Sequence, residues 1–332
     1  MARHTFLCID GHTGGNPVRV VSGAVPTLRG ETMSARRQDF IAHHDWIRRA
    51  LVLEPRGHDL MSGAIIYPAI ASDADAAILF IETSGALPMC GHGLIGTVTM
   101  GLEHGLIKPR TPGQLSLEVP AGRVAVRYEQ VGDKVTSVCI TNVGSYLAHR
   151  DVEIDVPGLG VIRLDVAYGG NFYAIIDPQE NFGGLEYITP GDVLRFSPTV
   201  RRLVNEAVTI THAEDTTVKG CSHVMWTGAP GEGADGRNAV FYGEKAIDRS
   251  PCGTGTSARM AQLVARKRLK VGDSFIHESI IGSRFRGGVV KETKVGGLPG
   301  IIPSIEGTAY MTGINTIFVD EGEPFPHGFQ VI

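Results

Sequence analysis

Two short motifs occur twice, in the same order, along this chain of 332 residues. The first copy opens with Gly14-Gly15-Asn16, shortly after Asp10, and closes with Pro88-Met89-Cys90-Gly91-His92-Gly93. The second opens with Gly169-Gly170-Asn171, shortly after Asp165, and closes with Pro251-Cys252-Gly253-Thr254-Gly255. The separation from Asn to Cys is nearly the same in both. Among 43 glycines a Gly-Gly-Asn alone means little, but a repeated Cys-Gly-x-Gly draws on only five cysteines. Self-similarity of this kind marks a duplicated structural unit. Two similar lobes are expected, each supplying one Cys-Gly-x-Gly corner, and a pseudo-twofold between them would turn both cysteines toward one cleft.

Length agrees with two lobes, at roughly 100–200 residues per domain. Apolar residues make up 42% of the chain and charged residues 20%, an ordinary balance for a protein with a sizeable core. The net charge is −4 and the pI about 6.3. Arg266-Lys267-Arg268 is the densest basic cluster, reads as a solvated helix face, and gives no footprint for nucleic acid. The N-terminal stretch lacks the apolar core and cleavage site of a signal peptide. No apolar run approaches the ~18 residues of a membrane span. Five cysteines, an odd and sparse count, argue for a reducing, cytoplasmic setting over a disulfide framework. Neither Cys-x-x-Cys nor His-Glu-x-x-His occurs, so no metal site is expected.

Runs rich in β-branched and aromatic residues predict strands at 18–21, 77–82, 114–119, 123–128, 135–141, 161–166, 172–176 and 239–242. Apolar spacing predicts helices at 35–53, 97–105, 199–208 and 256–268. Helices interrupt a β-rich chain without the regular alternation of a doubly wound sheet. The fold class is therefore α/β of the α+β type.

Each glycine corner reads as a loop feeding a helix, whose first amides and dipole attract an anion. Two chemistries compete for that corner. Both copies match Gly-x-Gly-x-x-Gly/Ala, through Gly96 and Ala258, and an acid follows at a dinucleotide-like distance, Glu118 and Glu278. But Pro88 and Pro251 fall where a central strand should run directly into the first glycine, and no βαβ unit is visible around either corner. The cysteines explain more. A thiol at a helix N-terminus is biased toward thiolate, and the adjacent amides can hold a carboxylate beside it. A lone cysteine here would read as a packing residue; two at the same place in a repeat do not. Cys8, Cys139 and Cys221 lie in apolar or strand-like runs and are read as packing residues, and His12, His43, His44 and His58 as structural or surface groups.

Two thiols facing one carbon can invert it. One thiolate takes the α-proton from one face and the other thiol returns a proton to the opposite face, while the helix ends stabilise charge on the carboxylate. No lysine sits in a recognisable pyridoxal context, so no cofactor is expected.

The segments Met89–Gly93 and Asp248-Arg249-Ser250-Pro251-Cys252-Gly253-Thr254-Gly255-Thr256 resemble the two signature motifs of the proline racemase family. The resemblance runs over essentially the whole chain, including Asp10-Gly11-His12-Thr13-Gly14-Gly15-Asn16-Pro17, Pro55-Arg56-Gly57-His58 and Val166-Ala167-Tyr168-Gly169-Gly170-Asn171-Phe172-Tyr173. It implies two lobes of the diaminopimelate-epimerase-like fold, each a β-rich sheet around a central helix, in a homodimer. The first lobe would comprise residues 1–130 with 313–332 and the second 131–312, the C-terminal segment returning to the first. By position, Cys90 and Cys252 would be the acid/base pair. Gly91, His92, Gly253 and Thr254 would bind the substrate carboxylate, Asp248 the ring nitrogen, and His223 a polar group of the pocket. Two cysteines, with no threonine or serine replacing either, separate this chain from the family's 3-hydroxyproline dehydratases. The expected reaction is epimerisation at C2 of trans-4-hydroxy-L-proline to cis-4-hydroxy-D-proline. Racemisation of proline is the alternative within the family. A nucleotide-dependent oxidoreductase and a non-catalytic amino-acid-binding protein are the alternatives outside it.

Overall fold

The computed structural model describes residues 3–331. In chain order the elements are β1 (Arg3–Thr13), β2 (Asn16–Val21), α1 (Met33–His43), α2 (Asp45–Val52), β3 (Ser62–Tyr67), β4 (Ala76–Glu82), β5 (Gly85–Leu87), α3 (Gly91–Glu103), β6 (Gln114–Val119), β7 (Gly122–Val131) and β8 (Lys134–Thr141). They continue with β9 (Ser145–Val156), β10 (Gly160–Tyr168), β11 (Phe172–Ile176), α4 (Pro190–Ala207), β12 (His223–Gly228), β13 (Gly236–Tyr242), β14 (Ala246–Ile247), α5 (Gly253–Ala265), β15 (Ser274–Glu278), β16 (Arg284–Val295), β17 (Leu298–Gly307) and β18 (Ala309–Asp320).

The chain divides into two compact units, one of residues up to 140 together with those from 307 on, the other of residues 141–306. The first junction falls later than residue 130 because β8 belongs with α3: Glu103 accepts from the Val135 amide and pairs with Lys134. The second falls earlier than 313 because β18 pairs with β1 from its first residue, Ala309 against Thr13.

Within each unit the strands pair in the same succession. In the first, β1 and β2 are antiparallel, β2 and β3 parallel, β3 and β4 antiparallel, β4 and β6 parallel, β6 and β7 antiparallel. In the second, β10 and β11 are antiparallel, β11 and β12 parallel, β12 and β13 antiparallel, β13 and β15 parallel, β15 and β16 antiparallel. The repeat read from two short motifs is thus a repeat of topology. In the second unit β17 pairs with β16 and also with Ser145 and Tyr146 of β9, so that the ladder closes on itself.

One helix in each unit is buried along nearly its whole length, α3 from Gly91 to Gly101 and α5 from Gly253 to Leu263. A helix buried on every face needs small or apolar residues all round, and these two supply Gly93, Gly96 and Gly101 or Gly255, Ala258 and Ala261, with Gly96 leaving room for Val18 of β2 and Gly101 for Ile107. The amphipathic helices pack elsewhere. Phe40 of α1 and Ile47 and Leu51 of α2 join Leu79 and Ile81 of β4. Val193, Phe196, Val200 and Val204 of α4 join Phe172, Trp226 and Phe241.

All four expected helices are present with other bounds: α3 and α5 begin earlier, at Gly91 and Gly253, and the other two differ further. The stretch 35–53 is broken at His44, which ends α1 and begins α2. Helix α4 starts at Pro190, well before residue 199, because Thr189 and Asp192 form a reciprocal capping box and proline suits the first turn. Pro198, just before the expected start at residue 199, lies inside the helix.

Candidate active site

In the first unit Cys90 is the N-cap of α3, in extended conformation, and is 5% exposed. Its sulfur lies 3.7 Å from Nδ1 of His92. His92 is fixed at both ends: its carbonyl accepts from Thr13 Oγ1 at 2.9 Å, and its Nε2 lies 3.0 Å from the side-chain amide of Asn16. Thr13 and Asn16 flank the β1–β2 turn, in which Gly14 and Gly15 have φ of 56° and 91°. A two-residue hairpin turn with both φ positive is the reason for two glycines. The turn therefore delivers Asn16 to the residue two positions after the cysteine.

The second unit repeats this arrangement with different side chains. Cys252 is the N-cap of α5, also 5% exposed. The Asn171 amide donates to Oγ1 of Thr254 at 3.4 Å, again two positions after the cysteine. Gly169 is required here by close approach: a Cβ would run into the Thr254 carbonyl and stand 2.5 Å from the Ala258 nitrogen, so the turn rests on the helix backbone. The same two letters serve two physical needs.

Both sulfurs sit over a glycine. A Cβ on Gly93 would stand 2.9 Å from the Cys90 sulfur, and one on Gly255 3.0 Å from that of Cys252. Gly91, His92 and Gly93, like Gly253, Thr254 and Gly255, occupy a first helical turn, where amides have no intrahelical carbonyl to bond and suit an anion.

Asp248 is buried and its Oδ1 accepts from the Ser250 amide and hydroxyl, each at 2.8 Å. Ser250 Oγ in turn accepts from the Cys252 amide at 3.1 Å. This chain of bonds holds Cys252 at φ 62°, a left-handed conformation that a non-glycine residue adopts only under constraint. Pro251 is anchored through its carbonyl, which accepts from Asn238 and Thr256; Thr256 also bonds Nδ1 of His277 at 2.8 Å. Burial pushes His277 down to about 3, which keeps this support neutral.

His223, at the start of β12, is buried beside Tyr173, with ring centroids 4.8 Å apart, and Ser222 Oγ lies 2.7 Å from its Nδ1. Tyr173 carries its hydroxyl to 3.3 Å from the Cys252 sulfur and 2.5 Å from Thr254 Oγ1. Thus Cys90, Gly91 and His92 come together in one unit, and Cys252, Gly253, Thr254, Asp248 and His223 gather within the other. Residue spacing does not single out Tyr173, Ser250 or His277, and it marks Asn16 and Asn171 as members of the repeat without assigning them a place in the site. The recurrence of Gly-Gly-Asn with Cys-Gly-x-Gly was the available signal for the two asparagines.

The remaining candidates divide clearly. Cys8 and Cys221 are buried, and burial pushes each thiol up to about 12, as suits packing residues. Arg266 is no solvated helix face, since it bonds Asp165 and Asp151. A crossover does exist around each glycine corner, since β4 and β6 are parallel neighbours on either side of α3, and β13 and β15 on either side of α5. Yet no strand runs into the glycines: Pro88 to Cys90 follow β5, and residues 248–252 follow β14. The two acids are engaged elsewhere. Glu118 accepts from the Ile70 and Ala71 amides, and Glu278 pairs with Arg284. Among the described residues no group of three or more His, Cys, Asp or Glu is placed to hold a metal. Among the described residues no helix is long and apolar enough to cross a membrane.

The chain is 59% identical to a 4-hydroxyproline 2-epimerase of Shewanella loihica over the full length of both. A hydroxyproline epimerase from Agrobacterium vitis, crystallised with bound trans-4-hydroxy-L-proline, matches it with a TM-score of 0.91 and 32% identity over 99% of this chain and 95% of that one. A PhzF-family phenazine biosynthesis protein of Bacillus anthracis, 15% identical, shares the fold alone, with a TM-score of 0.58 over 96% of this chain and 99% of that one. A family profile described as proline racemase spans residues 8–330, and with the duplicated cysteine corners in place the chain belongs to the proline racemase family.

Proposed function

We propose that this protein epimerises 4-hydroxyproline at C2, interconverting the trans-4-hydroxy-L and cis-4-hydroxy-D forms without a cofactor. The observation that carries the proposal is the equivalence of Cys90 and Cys252. Each is a buried N-cap of a buried helix, at the same place in a repeated topology. In this reading the substrate carboxylate binds the first-turn amides around Gly91-His92 and Gly253-Thr254, and Asp248 receives the ring nitrogen. One cysteine, as thiolate, takes the C2 proton and becomes a thiol; the electron pair left on C2 delocalises into the carboxylate. The other, as thiol, delivers its proton to the opposite face and becomes the thiolate. The reverse reaction starts from that exchanged state. Amides pointing at the charge that develops on the carboxylate lower the barrier most.

Similarity over the full length to relatives named 4-hydroxyproline 2-epimerase supports the hydroxylated substrate over proline. The family resemblance also supports a homodimer and a cytoplasmic setting, tested by light scattering and fractionation. The decisive experiment follows optical rotation and deuterium incorporation in D2O with trans-4-hydroxy-L-proline, L-proline and trans-3-hydroxy-L-proline. Rotation should change only as deuterium enters C2, fastest with the 4-hydroxylated substrate. Cys90→Ser and Cys252→Ser should each abolish inversion. Full activity in either variant, or a higher kcat/KM on L-proline, overturns the proposal.

A further inference from the structure

The two cysteines have unlike neighbours. Cys90 has an imidazole at 3.7 Å, and Cys252 has a phenol at 3.3 Å. The difference arises from two substitutions within the repeat. The residue two positions after the cysteine is His92 in one unit and Thr254 in the other. The residue two positions after the turn asparagine is Val18 in one and Tyr173 in the other. All four are buried.

Tyr173 and Thr254 bond each other at 2.5 Å, and the Asn171 amide approaches Thr254 Oγ1 from beyond. An amide nitrogen can only donate, so Thr254 Oγ1 accepts from Asn171 and keeps its own proton to give. When the Cys252 sulfur is anionic, Thr254 donates to the Tyr173 oxygen and Tyr173 donates to the sulfur. When the sulfur carries a proton, it donates to the Tyr173 oxygen, and Tyr173 turns its hydrogen to Thr254 Oγ1. Each hydroxyl holds one proton in both arrangements, so the pair reverses direction by rotation alone.

We propose that Tyr173 and Thr254 form a reversible hydroxyl pair that keeps the Cys252 sulfur hydrogen-bonded both as thiolate and as thiol. A residue that must serve as base in one direction and acid in the other needs a partner able to donate and to accept. A fixed donor would trap the thiolate, and an apolar wall would trap the thiol. This deepens the epimerase reading and rests on it for its purpose, but the hydrogen bonds can be tested without turnover.

The test titrates Cys252 alone. The thiolate absorbs in the ultraviolet, and the difference between Cys90→Ser and the Cys90→Ser/Cys252→Ser double variant, followed over pH, isolates its ionisation. Repeating the pair with Tyr173→Phe should raise the midpoint by about one pH unit, because the bond lost to the thiolate is stronger than the one lost from the weakly donating thiol. A loss of packing alone would leave the midpoint in place. If the phenylalanine variant does not fold, fluorotyrosine incorporated throughout the Cys90→Ser pair gives a stronger donor and should lower the midpoint. An unmoved midpoint in the experiment performed, or a shift in the opposite sense, overturns the proposal. Absence of C2 exchange with the midpoint shift intact would instead count against the epimerase reading.

Discussion

The side-chain amide of Asn16 lies 3.0 Å from Nε2 of His92, although 76 residues separate them in sequence. Asn171 and Thr254 repeat the relationship at 3.4 Å across 83 residues. Each Gly-Gly-Asn turn thereby sets the first turn of the helix that a cysteine caps. Asn16→Ala and Asn171→Ala should each lower kcat/KM about tenfold, the effect of one lost hydrogen bond. Thermal melting should shift little in either, because the turn glycines that shape the hairpins remain. Unchanged kinetics in both variants would separate the turns from the site.

Gly93 and Gly255 are predicted to uncouple stability from activity. Alanine is the better helix former by about 1 kcal/mol, yet its Cβ at either position would press on the neighbouring cysteine sulfur, the proposed acid/base. Gly93→Ala and Gly255→Ala should stay folded by circular dichroism and lose kcat by about 100-fold, as expected for a displaced reacting atom. Gly255→Ala should show the larger loss, since its Cβ also meets Met225 at 2.8 Å. Wild-type kcat in both would mean that the sulfurs are free to move aside.

Ser250 and Asp248 should fail differently. Ser250→Ala removes the acceptor for the Cys252 amide and should cost about 1–3 kcal/mol in urea denaturation, along with much of kcat. Asp248→Asn can keep an oxygen facing Ser250, so its stability should hold, while its proposed role toward the ring nitrogen predicts a rise in KM. Equal destabilisation of the two variants would assign Asp248 to the loop alone.

His277 predicts a loss of stability in acid. Burial pushes it down from 6.5 to about 3 in the folded chain. Between those values the unfolded chain binds a proton that the folded chain refuses, so stability rises with pH across this window and falls as pH drops through it. The slope from this one group reaches about 1.4 kcal/mol per pH unit. His277→Gln should therefore lose less stability than the parent between about pH 6.5 and about pH 4, measured by urea midpoints. Parallel losses would place the acid sensitivity elsewhere.

What could be read from the sequence followed from the character of each signal. The cysteine corners were legible because cysteine is scarce and the repeat is internal. The strands at 77–82, 114–119 and 172–176 were legible because β-branched residues bounded by turns leave few alternatives, and they lie within β4, β6 and β11. The start of α4 was hidden because Pro190 and Pro198 both read as breaks, whereas the first sits at a capped N-terminus. The N-terminal turns of α3 and α5 were hidden by their glycines, which disfavour helix until burial against strands selects them. The Tyr173 contact had no local signature: it depends on the parallel register that sets Tyr173 beside His223 and on the turn that packs β10 and β11 against α5.

The pairing of β1 with β18 has a consequence for the order in which the chain matures. Arg3 is matched to Asp320 and Thr13 to Ala309, so the unit that holds both strands forms only by joining segments that lie on either side of the whole of the other in sequence. The unit of residues 141–306 is contiguous and closes with β17 against β9. Loop closure over so long a separation costs entropy before the pairing rewards it, so the contiguous unit is expected to fold faster than the split one.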